Sequence, residues 1–402
     1  MSEVRDFVEI DGSYGEGGGQ ILRTALMLSC LNSKPMHVTR VRGKRRRPGL
    51  LAQHLAVLQA VARISQAEVK GAANGSSEFW IVPKRTAGGV YNFNVSQLWR
   101  SVGAVSFIMQ ALLPSLLFCG RPSRLNIKGG THIPLSPPHE FIEWAFIPFI
   151  ASLGVRIRAT FNQPGFLPSG QGEVDYSIEP LSRTLKPVTL IERGILNRIK
   201  FTALVSGFDS SILEKMVQVG SERVAGRDVE VELIPRHYPG PDKASFACLC
   251  THFSNADAAF CTLGKQEDDP VVVVSEAAAK LISFLGNRCV VEEHLADQIL
   301  IYLLLAEGDS VISVPRITSH MLTNIWVMGQ FFPGRIKVDG ILDEQGRIYV
   351  QGIGMQPELL PGKPISEGSE AAEPKPSFGS RSHRRRKRSS RRHAPPQEKG
   401  GA

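Results

Sequence analysis

Residues 7–31 read FVEIDGSYGEGGGQILRTALMLSCL, and this stretch sets the architecture. Phe7–Ile10 has the composition of a short strand. A run dominated by glycine follows from Gly12 to Gly19, and from Gln20 to about Leu31 the apolar residues recur at helical spacing. A strand that enters a helix through a glycine turn opens a β/α unit, and the chain continues in that pattern. A strand at His37–Val41, a basic loop and a helix from Pro48 to about Ile64 come next, with proline at a permitted first-turn position. Strands at Glu68–Lys70 and Glu78–Val82 complete the first round.

Turn glycines Gly88 and Gly89 begin a second round: helix Val95–Phe118, strand Arg124–Lys128, helix Pro138–Leu153, and strands Val155–Phe161 and Gly172–Glu179. A third comprises helix Val290–Ala306, strand Ser310–Val314, helix Ser319–Phe331, and strands Arg335–Asp339 and Arg347–Gln351. The expectation is an α/β (α+β) fold of three βαβαββ repeats, spanning residues 1–186 and 282–356. Between them, residues 187–281 follow their own logic. They give strand Ile199–Val205, helix Ser211–Val224, and strands Val229–Leu233, Ser245–His252 and Val271–Ser275, read as a small inserted α/β domain. From residue 357 to 402 apolar periodicity disappears and Pro, Gly, Ser and Arg dominate, so this segment reads as a disordered Arg-rich tail.

Composition narrows the function classes. Of 402 residues 42% are hydrophobic and 21% charged, which suits a globular core. No apolar run reaches the length of a membrane span, and the N-terminus carries no secretory pattern. Six scattered cysteines without a C-x-x-C pair argue against a zinc ribbon or a disulfide scaffold and suit a reducing compartment. The expected location is cytoplasmic, or nuclear in a eukaryote. The net charge of +9 is mostly a property of the tail, where residues 361–402 hold eleven Lys and Arg against four Glu. Elsewhere the charge is concentrated at residues 40–47, RVRGKRRR, a density that suits a polyanion.

Four places hold candidate chemistry. The 11–20 loop lets a backbone approach a ligand at a helix N-terminus, yet it matches neither a Walker loop nor a dinucleotide fingerprint. Glu16 among its glycines suggests a divalent metal beside a polyphosphate, and Arg23 is either a phosphate clamp or a surface arginine. Gln53 and His54 lie in an otherwise apolar helix, where His54 is either a satisfied core histidine or a ligand. His294, Asp297 and Gln298 share one helical face by spacing. His320 opens a helix whose dipole disfavours imidazolium, and a neutral imidazole is a competent nucleophile.

Together, DGSYGEGGGQILRTAL (11–26), RPGLLAQHL (47–55), KGGTHIPLSPP (128–138), EEHLADQ (292–298), SHMLTN (319–324) and QGIGM (351–355) resemble the RNA 3′-terminal phosphate cyclase family, in family order. The resemblance implies repeats like the C-terminal domain of translation initiation factor three. It implies ATP-dependent conversion of an RNA 3′-phosphate to a 2′,3′-cyclic phosphate, with ATP as co-substrate, Mg²⁺ or Mn²⁺ as metal, and RNA 3′-phosphate ends as partner. By this resemblance His320 is the adenylated nucleophile and Glu16 the carboxylate associated with metal and nucleotide. Gln110, Pro137, His294, Asp297 and Gln298 line the ATP site, and Arg23, Arg42, Gln53 and His54 serve activity around the phosphates. Gln171 departs from the expected glycine of its loop. A catalytically silent cyclase-like ribosome-assembly factor is the alternative, disfavoured by the retained His320. An enolpyruvyl transferase on similar repeats gives that histidine no role.

Overall fold

A computed structural model describes residues 6–95 and 102–358. The first round is strand β1 (Val8–Asp11), helix α1 (Gly19–Asn32), β2 (Met36–Thr39), α2 (Ala52–Ser65), β3 (Glu68–Lys70) and β4 (Phe79–Val82). The second is β5 (Val90–Asn94), α3 (Val105–Phe118), β6 (Ser123–Gly129), a helix α4, β7 (Arg156–Gln163) and β8 (Gly172–Glu179). Helix α4 comprises His139–Phe141, a π-helical Ile142–Phe146 and Ile147–Ser152. After β9 (Thr189–Leu190) come β10 (Leu196–Ser206), α5 (Ser210–Val224), β11 (Glu230–Leu233), β12 (Arg236–Tyr238), β13 (Ala244–Phe253), β14 (Asp257–Leu263) and α6 (Pro270–Leu285). The chain then resumes with α7 (Glu293–Leu305), β15 (Asp309–Val314), α8 (Ser319–Phe331), β16 (Ile336–Asp339) and β17 (Gly346–Gln351).

Three four-stranded sheets have one wiring. Their orders are β1-β2-β4-β3, β5-β6-β8-β7 and β9-β15-β17-β16. In each, the first strand pairs parallel to the second, and the fourth pairs antiparallel with both the second and the third. The fold is thus α+β with three βαβαββ rounds. Alternating burial along β6 and β8 leaves one sheet face to solvent and turns Leu125, Ile127, Val174 and Tyr176 onto the helices. Helix α1 is the hub: it packs on α2, α3 and α8, so rounds one, two and three meet along it. A fourth sheet, formed by the five strands β10 to β14, carries α5 and α6 on one face over Phe201 and Leu249.

Several expectations need correction. Val271–Ser275 is the first turn of α6 and not a strand. Asp269 caps it by accepting the Val271 N–H at 2.9 Å, Pro270 begins it, and the sequence beyond keeps a helical apolar stripe. These local signals outweigh the β-propensity of four valines. Helix α2 starts at Ala52 and not Pro48, because the Gly49 and Leu50 N–H groups donate to Val41 and Ser76 carbonyls. In the predicted helix Val95–Phe118, residues 96–101 lie outside the described residues; Ala104 bridges to Gly130, and α3 begins at Val105. Strands β5, β9, β12 and β14 have no counterpart in the sequence reading. Residues 359–402 of the predicted tail lie outside the described residues, while Glu358 is anchored by an N–H bond to the Phe118 carbonyl and by Arg85 at 2.6 Å. Among the described residues no helix is long and apolar enough to cross a membrane.

Candidate active site

Three helix N-termini converge: those of α1, α7 and α8. Helix α1 begins after Gly18 with no side-chain cap, so its first N–H groups and partial positive charge are available to an anion. Thr318 caps α8 by accepting the Met321 N–H, which fixes His320 in the first turn. Glu292 caps α7 by accepting from the His294 and Leu295 N–H groups, which sets Asp297 in the second turn.

At the convergence His320 stands between two carboxylates. Its Nδ1 is 3.3 Å from Glu16 Oε2 and its Nε2 is 3.3 Å from Asp297 Oδ2. Glu16 also accepts from the Ser319 hydroxyl and, at 3.3 Å, from the Arg45 guanidinium. Burial works to raise the Glu16 carboxyl, but Ser319, His320 and Arg45 outweigh it and hold the group below its usual range. Asp297 goes the other way. Its burial dominates and raises the pKa, against His320, Gln20, Asn324 and Arg23.

Asp297 is held in place by a polar network that joins rounds one and three. Gln20 Nε2 donates to both of its carboxylate oxygens, at 3.0 and 2.9 Å. Asn324 Nδ2 donates to Oδ1 at 2.7 Å and to the Asp297 carbonyl at 3.1 Å, while the Thr24 hydroxyl donates to Asn324 Oδ1. All four residues are buried. Thr24 and Asn324 carried no signal in the sequence beyond their place in matching motifs.

Arg23 lays its guanidinium 3.8 Å above the centre of the Phe107 ring, and burial pulls its pKa to about 10 against the pull of Asp297. His54 is buried beside it. Its Nδ1 accepts the Leu51 N–H at 3.1 Å, so the neutral ring carries its proton on Nε2. That edge lies against α1: a Cβ added to Gly19 would sit 2.4 Å from Nε2. Burial first, then the Arg42 and Arg23 cations, lower the His54 pKa from 6.5 to about 3. The unfolded chain therefore takes up a proton below pH 6.5 that the folded chain refuses until about pH 3, so this site's stability is lost as pH falls through that window. As pH falls from 6.5 to 4.5 wild type should lose roughly 2 kcal/mol from this group, the slope approaching about 1.4 kcal/mol per pH unit below pH 5.5 or so. His54→Gln, which keeps an acceptor for Leu51, should lack that increment in denaturant melts. Parallel curves for the two proteins would refute the assignment.

The remaining candidates divide. Arg42 donates to the Arg47 and Gly49 carbonyls at 2.6 and 3.1 Å, so it braces the basic loop and polarises His54 from there. Gln53 approaches His54 Nε2 at 3.5 Å. Gln110 on α3 donates to Gln298, whose amide donates to the His294 carbonyl at 3.0 Å, linking rounds two and three. The Glu292 carboxylate holds His294 through Nδ1 and raises its pKa to about 9. Pro137 lines a separate crevice with Val105, Thr131, His139 and Tyr176. Beside it Thr131, His132 and Glu140 form a buried chain of contacts at 2.9 and 2.7 Å that braces the Gly-Gly-Thr turn.

A histidine between two carboxylates, amid helix N-termini and arginines, sits on three βαβαββ rounds of an α+β fold. The family described as RNA 3′-terminal phosphate cyclase matches residues 14–338, and the chain belongs to that family. A protein of Methylococcus capsulatus named RNA 3′-terminal phosphate cyclase is 34% identical over 84% of this chain and 94% of its own length. One of Staphylothermus marinus with the same name is 33% identical over 88% of this chain and 100% of its own. Among solved structures, an enolpyruvyl transferase of Streptomyces tendae aligns at 12% identity and a TM-score of 0.25, covering 86% of this chain and 65% of its own, a likeness that carries no argument.

Proposed function

We propose that the chain converts an RNA 3′-terminal phosphate to a 2′,3′-cyclic phosphate at the expense of ATP, through an adenylated His320. The observation that carries this is His320 between Glu16 and Asp297 at the convergence of α1, α7 and α8. The uncapped start of α1, with Arg23 and Arg45, receives the triphosphate. A proton on Nδ1, shared with Glu16, leaves the lone pair on Nε2. That lone pair attacks the α-phosphorus, the N–P bond forms, and the bond to pyrophosphate breaks. Asp297, oriented by Gln20 and Asn324, stabilises the positive charge the ring acquires.

An oxygen of the RNA 3′-phosphate then attacks the AMP phosphorus. The P–N bond breaks and His320 is freed, leaving an RNA–AMP anhydride. The adjacent 2′-hydroxyl attacks the 3′-phosphorus, loses its proton, and expels AMP as the ring closes. Ring closure has the advantage of an intramolecular nucleophile.

Glu16, whose carboxylate faces Ser319 and His320, is an oxygen donor of the kind Mg²⁺ or Mn²⁺ takes alongside phosphates, and would be the residue to hold such a cation. Bound there, such a cation supplies neutralisation of phosphate charge.

The deciding test offers a 3′-phosphorylated oligoribonucleotide, ATP and Mg²⁺ to the protein. The end should become resistant to phosphatase, with one AMP and one pyrophosphate released per end. An end that stays phosphatase-sensitive while the protein binds RNA would leave the silent-factor reading standing.

A further inference from the structure

The glycine loop lies along α8 in a regular register. Glu16 meets Ser319 and His320; a Cβ on Gly15, whose φ is +51, would strike the Thr323 hydroxyl at 2.2 Å; and Tyr14 stacks on Trp326. Residues 320, 323 and 326 follow one another at i+3 on the helix, so each residue of the loop answers to about one turn of it. The Tyr14 and Trp326 rings are 3.9 Å apart and 10° from parallel, and Tyr14 is 42% exposed. On its other side the loop is flanked by the basic segment. Lys44 Nζ donates to the Gly15 carbonyl at 3.0 Å, Arg45 reaches Glu16, and Arg40 pairs with Asp11 at 2.6 Å. The result is a strip with His320 at one end, an aromatic pair at the other whose Tyr14 is exposed while Trp326 packs partly into the core, and cations along its edge. The two ends are about 9 Å apart along α8 from the helical rise, which suits a nucleotide's base and its 3′-phosphate.

We propose that the Tyr14–Trp326 pair seats the 3′-terminal nucleobase of the RNA, with its phosphate directed to His320. Aromatic faces recognise single-stranded bases by stacking and tolerate any base, which suits an enzyme acting on ends. The proposal rests on the cyclase reading above. A nucleobase could also come from ATP, so the experiment separates the two sources.

The full chain is titrated with a fluorescent oligoribonucleotide ending in 3′-phosphate, and with the same oligonucleotide lacking its terminal base. Wild type should bind the complete end roughly tenfold more tightly. Tyr14→Ala should erase the difference and Tyr14→Phe should keep it. Equal wild-type affinity for the two oligonucleotides would overturn the proposal even without any variant. So would a Tyr14→Ala protein that weakens both alike. A rise in the ATP half-saturation of self-adenylation in Tyr14→Ala, with RNA discrimination intact, would assign the pair to adenine instead. Self-adenylation of wild type is read separately: its absence sinks the catalytic reading, while the binding comparison still decides the platform.

Discussion

Protein incubated with ATP labelled at the α-phosphate and a divalent cation, then denatured, should carry label that is acid-labile and base-stable, as a histidine phosphoramidate would be. His320→Ala and His320→Asn should carry none, and cyclisation by either should fall by about a thousandfold or more. Asparagine is informative because it keeps a hydrogen-bonding group between Glu16 and Asp297, yet has no lone pair that attacks phosphorus. Persistence of label in both variants would move the nucleophile elsewhere. Unlabelled, well-folded wild type would remove the adenylation step altogether.

The second large effect belongs to a residue that touches no substrate in this scheme. Asn324 is 5% exposed and bridges Thr24 to Asp297, joining α1, α8 and α7. Asn324→Leu has similar volume, but it strands the Thr24 hydroxyl and removes two donations to Asp297. A buried polar group left unpaired costs about 1–3 kcal/mol, and more beside a charge, so a stability loss of about 3 kcal/mol is expected. Self-adenylation should drop with it, because Asp297 loses its orientation behind His320. Thr24→Val combined with Asn324→Leu should cost less than the sum of the two single changes, since both break one network. Additive losses would show the bridge to be energetically idle.

Much of this fold is legible in the chain because its signals agree. Helix α8 was bounded correctly from Ser319 to Phe331: Thr318 is a good N-cap and the apolar stripe ends where the helix does. Strand β9 was not legible, since two residues carry no periodicity and its pairing with β15 is decided far along the chain. In α6 two local signals conflict: the β-propensity of Val271–Val274 points to a strand, and the Asp269-Pro270 pair ahead of them marks a helix start, which prevails. In the site, individual polar residues in matching motifs were visible, and their partners were not. That Arg45 of the basic loop would bind Glu16, 29 residues away, that Asn324 would orient Asp297 from 27 away, or that Gln20 would reach it across 277, depends on tertiary packing that no local pattern records. Arg42, which the family resemblance places around the phosphates, also donates to its own loop's carbonyls, contacts that no sequence pattern announces.

The place where the third round is interrupted has a consequence for how the protein is made. Strand β9 precedes five further strands and three helices before its partner β15 is reached, and Val188 and Ser310, bonded across that seam, are 122 residues apart. Gln20 meets Asp297 across 277. A chain emerging from the ribosome can pack its first two rounds while the third is still a lone β9, so the histidine and its aspartate join a scaffold already standing. Closing so wide a loop costs little more than closing a short one, because loop entropy grows only logarithmically with length. The detour therefore burdens the finished protein lightly and delays its completion: a nascent chain halted anywhere before residue 297 has Gln20 and Glu16 in hand but neither the Asp297 nor the His320 that they meet in the finished fold.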